Sequence, residues 1–234
     1  MARRPVFVPQ PDGPAPVRTE QVEFTWHPGL SLSQKRQSIA ALHHASREGL
    51  GLRSVLEISS KSPDAVGVAL SAFNLTFCPP GRIRPLSVEC AFQGSKVFAD
   101  GGPFTDLFDA TSRDAKRDER LQSSGRLTGF RFMDGRDWGL EPQSAFYDWL
   151  YLNALAGRPD LAAEVLRHEA FTDIEFNPEK SINCQAYSVA LFASFSRARR
   201  LQQAMRDAES FLDVVSSRPV NNARQDDTLQ GSLF

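Results

Sequence analysis

A carboxylate, an amide and an ammonium group follow one another in the stretch SVECAFQGSKVF at positions 87–98, where Glu89, Gln93 and Lys96 form the pattern E-x3-Q-x2-K. The flanking apolar residues predict an amphipathic helix over 88–99, which the Gly-Gly-Pro sequence at 101–103 would terminate. Successive helical residues lie about 100° apart, so these three side chains would share one helix face. The spacing allows two interpretations: a solvated Glu–Lys pair, which is the commoner case, or a site for acid–base chemistry.

Three other side chains stand out because they lie in apolar surroundings or beside turns. Asp173 lies inside the strand-like segment 171–176, and Trp138 follows a turn-like segment. Asn183 lies at the start of a long predicted helix. Each also has a purely structural explanation, as a strand-edge acid, a core indole and a capping amide respectively.

The familiar motifs of hydrolases and nucleotide-binding proteins are absent from the sequence. It contains no GxSxG, GxGxxG or GxxxxGK[ST] pattern. The four histidines form no recognisable pairing with a serine or cysteine nucleophile. Any catalytic site must therefore be built from other groups.

Composition sets further bounds on the function. The chain has 234 residues, 41% of them hydrophobic, and a formal net charge of -1, so one domain is expected and no global positive field indicates a nucleic-acid partner. The three widely spaced cysteines argue against a disulfide framework and a zinc site. No run approaches the roughly 18 apolar residues of a membrane span, and the start lacks an apolar signal core. We expect a cytoplasmic protein that needs neither a metal nor a cofactor.

The hydrophobic patterns predict a fold that is mainly α with a few short strands, an α+β single domain. Residues 1–21 are expected to be an extended lead-in, residues 22–215 the folded domain, and residues 216–234 a disordered tail. The predicted strands cover 22–26, 55–58, 72–77, 127–132 and 171–176. The predicted helices cover 33–47, 88–99, 113–120, 142–156, 159–168 and 181–214, the last with an interruption near 194–196.

The order of these motifs resembles the NADAR superfamily. In that family an L-S-N-F-like segment precedes an S-x-E-H-x-F-Q-x-x-K-F helix, an S-P-x-x-A segment, a tryptophan before a long helix, and a D-x-x-W-G … N-x-L-G block. The corresponding segments here are LSAF at 70–73, SVECAFQGSKVF at 87–98, TSRDAK at 111–116, Asp137-Trp138, and Asp173 with Asn183. The chain as a whole looks like the NADAR antitoxins that are paired with guanine-targeting DNA ADP-ribosyltransferase toxins.

Three positions depart from the family pattern. Cys90 stands where the family often has His, Ala72 where it often has Asn, and Phe176-Asn177 where it has Trp-Gly. Contacts with base or sugar are therefore not transferred to these positions. Glu89 and Lys96 do match the pattern.

The resemblance implies a NADAR-type single domain with N-glycosidase activity that removes ADP-ribose from guanine bases in DNA. The partners would be ADP-ribosylated single-stranded DNA and the cognate toxin. Glu89 is the first choice for the acid–base role, with Asp173 second. Lys96 has two possible roles: it binds the diphosphate or tunes Glu89, or it attacks the ring-opened ribose and forms an imine, which we favour.

The resemblance also implies a set of substrate-binding residues. Trp138 would stack on a base, and Asn183 would donate a hydrogen bond near a helix N-terminus. The remaining binding candidates are Phe73, Gln93, Ser60, Lys61 and Arg113.

The end of the chain carries a separate signal. The last five residues, QGSLF, look like the peptide with which bacterial replication proteins bind the sliding clamp, and Gln230, Leu233 and Phe234 would make the contacts. An accidental match is the competing explanation.

Two other functions compete with the hydrolase hypothesis. One is an N-glycosidase acting on riboflavin-pathway intermediates, as in other NADAR members. The other is a non-catalytic protein that binds ADP-ribose or sequesters the toxin.

Overall fold

The computed structural model describes residues 1–179 and 181–216, which form one α+β domain, as the sequence predicts. The strands are β1 (Ala2–Pro9), β2 (Val17–Phe24), β3 (Val55–Glu57), β4 (Thr76–Phe77), β5 (Leu86–Ser87), β6 (Lys96–Phe98), β7 (Leu127–Arg131), β8 (Asp137–Trp138) and β9 (Ala170–Thr172). The α-helices are α1 (Leu32–Leu50), α2 (Ala65–Ala69), α3 (Val88–Gly94), α4 (Ser112–Arg117), α5 (Arg120–Ser123), α6 (Ala145–Ala156), α7 (Pro159–Val165), α8 (Gln185–Arg197), α9 (Leu201–Ala204) and α10 (Ala208–Ser216). A 3-10 helix covers Thr105–Asp109.

The N-terminal residues are part of the domain, and the prediction of an extended lead-in over 1–21 is wrong. Strands β1 and β2 form an antiparallel hairpin, and β1 also pairs with β9 at Phe7↔Phe171. The proline-rich stretch supplies only the connection between the two strands. Apolar residues on either side of it, including Phe7 and Val17, are buried in the main core.

The largest sheet has the order β2-β1-β9-β3, with β3 and β9 parallel. Helix α1 packs on this sheet through Ile39 and Leu42. Its N-cap is Ser31, which forms a capping box with Gln34, so the helix begins before the predicted Ser33. The predicted strand over 171–176 stops at Thr172, which places Asp173 just past the strand end.

Helices α6 and α8 lie side by side and provide much of the main core. Helix α6 begins at Ala145 and not at Pro142. The predicted helix over 181–214 is divided into α8, α9 and α10. The break falls after Arg197 and not at 194–196, because Arg199 adopts a left-handed backbone conformation with φ +55°.

The remaining strands form two small sheets. Strands β4 and β5 pair, so the predicted strand over 72–77 is reduced to its last two residues. Strand β7 is the centre of a sheet of order β6-β7-β8 and confirms the prediction for 127–132. This sheet carries Lys96.

Among the described residues, no helix combines the length and the apolar character that crossing a membrane requires.

Candidate active site

Glu89 lies in the first turn of α3, where Ser87 caps the helix by accepting a hydrogen bond from the Cys90 amide at 3.1 Å. The Glu89 side chain is only 5% exposed. Its Oε1 accepts a hydrogen bond of 2.9 Å from Gln93 Nε2 and lies 3.8 Å from Lys116 Nζ. Glu89 and Gln93 therefore form a buried pair, which contradicts the interpretation as a solvated helix face.

Lys96 is not on this helix, and the prediction of a single helical face for all three residues is wrong. Helix α3 ends at Gly94, and Lys96 opens β6, where it is paired with Phe130 of β7. The strand pairing replaces the last predicted helical turn. The Lys96 ammonium nevertheless lies over the Phe92 ring of α3, with Nζ 5.0 Å from the ring centroid.

Burial controls the ionisation of Lys96. It lowers the pKa of the amine to about 8, an effect that the Glu89 charge opposes and the Lys116 charge reinforces. Among the described residues, no carboxylate lies within 4.0 Å of Lys96 Nζ. A fraction of about a tenth of the amine is then neutral at pH 7, compared with well under a thousandth for an ordinary lysine.

Asp173 faces a second buried carboxylate that sequence reasoning missed. Glu57 is 0% exposed and accepts hydrogen bonds from the Thr172 hydroxyl at 2.6 Å, the Ser59 hydroxyl at 2.7 Å and the Ile174 amide at 2.8 Å. Burial raises the pKa of both carboxyl groups, and the charge of Asp173 raises that of Glu57 further. The sequence does carry one sign of this residue, because Glu57 is the single acid in the otherwise apolar strand β3.

Gln185 connects Asp173 to Glu89 and was also missed. Its Nε2 donates to Asp173 Oδ2 at 3.0 Å, and its Oε1 accepts from the Ala72 amide at 2.8 Å. The carbonyl of Ala72 in turn accepts from the Glu89 amide at 3.0 Å. One side chain at the start of α8 thus links the Asp173 carboxylate to the backbone at which Glu89 begins α3.

Tyr147 of α6 lies in the core near the side chains of Glu89 and Asp173. Its ring makes an edge contact with Phe92 at a centroid distance of 5.2 Å. Burial raises its pKa well above the ordinary value, and the charges of Glu89 and Asp173 act in the same direction. Tyr147 therefore lies near both carboxylates, although its place in the sequence gave no sign of this.

A family model described as DarT1-associated NADAR antitoxin matches residues 2–225 of the chain. The chain belongs to this family. Its role is that of an antitoxin associated with a DarT1 toxin. No curated protein matches the chain. The resemblance noted from five short motifs is therefore confirmed over nearly the whole sequence.

Phe73 of the antitoxin lies at the same site as Glu89. It is half-buried, and Lys116 Nζ lies 5.2 Å from its ring centroid while also approaching Glu89. Together with Gln93 and Lys96, it completes a group of five side chains that the fold brings together from α3, α4, β6 and the loop before β4.

Trp138 lies in the core, and its role as a stacking surface stays a prediction. It is 5% exposed, and its ring centroid lies 5.4 Å from that of Phe146 and 5.8 Å from that of Trp149. A base could reach the indole only by displacing these rings.

The other predicted residues of the antitoxin lie on α4, before α8, in the turn after β3, or outside the described residues. Asn183 is half-buried just before the N-cap of α8, and Arg113 is exposed on α4. Ser60 is exposed and Lys61 half-buried in the turn after β3, where the Lys61 amide donates to Ser59 Oγ at 3.2 Å. The predicted clamp-binding residues Gln230, Leu233 and Phe234 lie outside the described residues.

Within residues 1–179 and 181–216, no group of three or more His, Cys, Asp or Glu side chains is placed to hold a metal ion.

Proposed function

We propose that this antitoxin is an N-glycosidase that removes ADP-ribose from guanine bases in DNA. The observation that carries the proposal is that the fold brings a buried carboxylate, Glu89, near Lys96, whose pKa is lowered by burial to about 8. Membership of the NADAR antitoxin family supports the choice of substrate, because the toxin partner in this family is a DarT1 protein.

Glu89 acts as the general acid and base. The scissile bond joins the anomeric carbon of the ribose to the exocyclic nitrogen of guanine, and the ring oxygen must gain a proton when the sugar ring opens. Glu89 takes the N–H proton of the guanine nitrogen and delivers it to the ring oxygen, so the sugar ring opens and its anomeric carbon is held as an imine to that nitrogen. Gln93 and Lys116 hold the carboxylate in place.

Lys96 then attacks the anomeric carbon as a neutral amine. The new C–N bond gives an intermediate with two nitrogens on one carbon, and the two protons of the Lys96 amine pass in turn to the guanine nitrogen through Glu89. The guanine amine leaves, and a lysine imine is formed. Water adds to this imine, which releases Lys96 and ADP-ribose, so the net reaction consumes one water.

Gln93 also offers a contact for the substrate. Its Oε1 is buried and has no hydrogen-bond partner among the described residues. A buried acceptor without a partner costs free energy, which a donor on the bound ligand would recover. A ribose hydroxyl is the donor in the proposed complex.

The experiment is to incubate the protein with single-stranded DNA that carries ADP-ribosylated guanine and to follow the release of ADP-ribose. The wild-type protein should release it, and Glu89→Gln should be slower by about 10³-fold, in the range found for loss of a general acid–base group. The matched control is Glu48→Gln on the exposed face of α1, which should retain full activity.

Absence of hydrolysis by the wild-type protein would refute the proposal. A Glu89→Gln variant that protects cells from the toxin as well as the wild type would instead favour the non-catalytic, sequestering antitoxin.

A further inference from the structure

We propose that a cavity beside Phe73, together with the adjacent Arg82-Ile83-Arg84 loop, binds the nucleotide next to the modified guanine in single-stranded DNA. The cavity has a volume of about 290 Å³, and its lining includes Phe73, Arg84, Ser87, Phe108 and Ser112. The inference rests on the proposed function, since it places the strand that carries the modified base.

The cavity adjoins the candidate active site directly. Phe73 forms part of its wall, and Lys116 lies over the Phe73 ring while its Nζ lies 3.8 Å from Glu89 Oε1. Ser87 and Cys90, which also line it, flank Glu89 on α3. A ligand in this cavity would therefore contact residues that stand next to the catalytic carboxylate, Phe73 through Lys116 and Cys90 through the chain.

Two chain segments that contribute to or adjoin the cavity lining have a charge opposite to that of the whole chain. Segments 82–84 and 109–117 contain five cationic side chains and two acidic ones, whereas the chain has a formal net charge of -1. One of the two acids, Asp109, is already paired with Arg82 at 2.6 Å. Among the described residues, Arg84 has no acidic partner within 4.0 Å, so its guanidinium is available for a phosphate.

The loop also carries an exposed apolar side chain between its two arginines. Ile83 is 98% exposed, although its neighbour Leu86 is buried. Proteins that bind single strands combine cations for the phosphates with apolar or aromatic surfaces for the base faces. Arg84 for the phosphate, with Ile83 and Phe73 for the base, provides this combination.

The size of the cavity favours a nucleotide over a segment of a partner protein. Small-molecule sites have volumes of roughly 300–1,000 Å³, and this cavity lies at the lower limit. A cavity of this size suits one nucleobase with its sugar, whereas a helix of the toxin would require a longer groove.

The test compares two substrates: ADP-ribosylated guanosine monophosphate, and a single-stranded oligonucleotide of about ten nucleotides with one modified guanine. Arg84→Ala should raise KM for the oligonucleotide about 5–10-fold and leave kcat/KM for the mononucleotide within about 2-fold. The slope of log KM against log salt for the oligonucleotide should fall by about 0.7, the value for one lost phosphate contact. The matched control is Arg36→Ala, an exposed arginine on α1, which should change neither substrate.

Equal effects of Arg84→Ala on the two substrates, or no effect on either, would overturn the subsite. If the wild-type protein hydrolyses neither substrate, the proposed function fails by itself. The subsite is then judged by fluorescence anisotropy with the unmodified oligonucleotide, where equal affinity of wild type and Arg84→Ala would refute it. Loss of toxin capture without loss of DNA binding would assign this surface to the toxin and would also refute it.

Discussion

Lys96 shows how one residue acquires its chemistry from its surroundings. Its ammonium group lies over the Phe92 ring, no carboxylate lies within 4.0 Å among the described residues, and burial of the side chain lowers its pKa. The nearby charges of Glu89 and Lys116 act in opposite directions. A lysine of this kind is suited to attack on an imine carbon, because only the neutral amine is nucleophilic.

The lowered pKa of Lys96 should make hydrolysis depend on pH. A lysine loses its proton as pH rises through its pKa, so kcat/KM should increase with pH and level off above about pH 8, the value to which the Lys96 pKa is lowered.

Borohydride added during turnover should trap a covalent adduct at Lys96, which peptide mass spectrometry would locate. Lys96→Arg keeps the positive charge but cannot supply a neutral amine, and it should lose both the adduct and the activity. An active Lys96→Arg protein would assign Lys96 to binding alone.

At the level of elements, the site depends on how α8 is joined to α3. Asp173 follows β9, Glu89 begins α3, and Gln185 begins α8. The hydrogen bonds of Gln185 to Asp173 and to the Ala72 backbone fix these three elements relative to one another. Gln185 is therefore a positioning residue.

Gln185→Leu should test this role, because leucine fills a similar volume but makes neither hydrogen bond. We expect kcat to fall about 10–100-fold with KM changed less than about 3-fold, since misplacement of a catalytic group by about 1 Å costs up to roughly 100-fold. Steady-state kinetics would provide both values. Gln203→Leu, at an exposed position of α9, is the control. A proportional rise in KM would show that Gln185 binds substrate instead.

Residue 102 must be glycine because the backbone of β6 lies directly against it. Its φ is +81°, and a Cβ atom there would lie 2.3 Å from the carbonyl oxygen of Lys96. Alanine at this position should therefore combine backbone strain with a clash that displaces the backbone of the proposed nucleophile.

Gly102→Ala should lower the free energy of unfolding by more than about 2 kcal/mol and reduce activity. Gly135 is a matched control, with φ +76° and no atom within 4 Å of the added Cβ. Gly135→Ala should cost only about 1 kcal/mol, from backbone strain alone, and keep full activity. Urea unfolding measures both, and equal losses in the two variants would contradict the clash.

In the molecule as a whole, the core contains acidic groups as well as apolar ones. Asp148 of α6 is almost fully buried and accepts hydrogen bonds from the Ser144 and Ser188 hydroxyls. Burial raises its pKa to about 7, against the opposing effect of these hydrogen bonds. The native protein therefore retains a proton that the unfolded chain releases near pH 4.

This difference predicts how stability depends on pH. Between about pH 4 and 7 the native state binds more protons than the unfolded state, so the Asp148 contribution to stability falls as pH rises through this window. Relative to Asp148→Asn, the wild type should lose roughly 2–3 kcal/mol between pH 5 and pH 8. Urea unfolding at the two pH values measures this difference. Exposed Asp213→Asn should follow the wild type, and a pH-independent difference for Asp148→Asn would contradict the prediction.

The sequence by itself determined the family, the α+β class and the Glu89–Gln93 pair. These depend on local patterns, because residues four apart on a helix are neighbours whatever the rest of the fold does. The hairpin at the N-terminus was missed because its proline-rich connection dominated the local composition. The apolar residues of β1 become buried only when β1 pairs with β9, which lies far along the chain.

Only the tertiary structure decided where Lys96, Glu57 and Gln185 lie. The sequence predicts a helix at Lys96 because its strand partner, β7, is about thirty residues away, and the residues around Lys96 give no sign of this pairing. Glu57 and Thr172 are 115 residues apart, and Gln185 and Ala72 are 113 apart. Contacts at such separations are set by the packing of the whole core. The residue types can therefore be read from the sequence, but the contacts between these residues cannot.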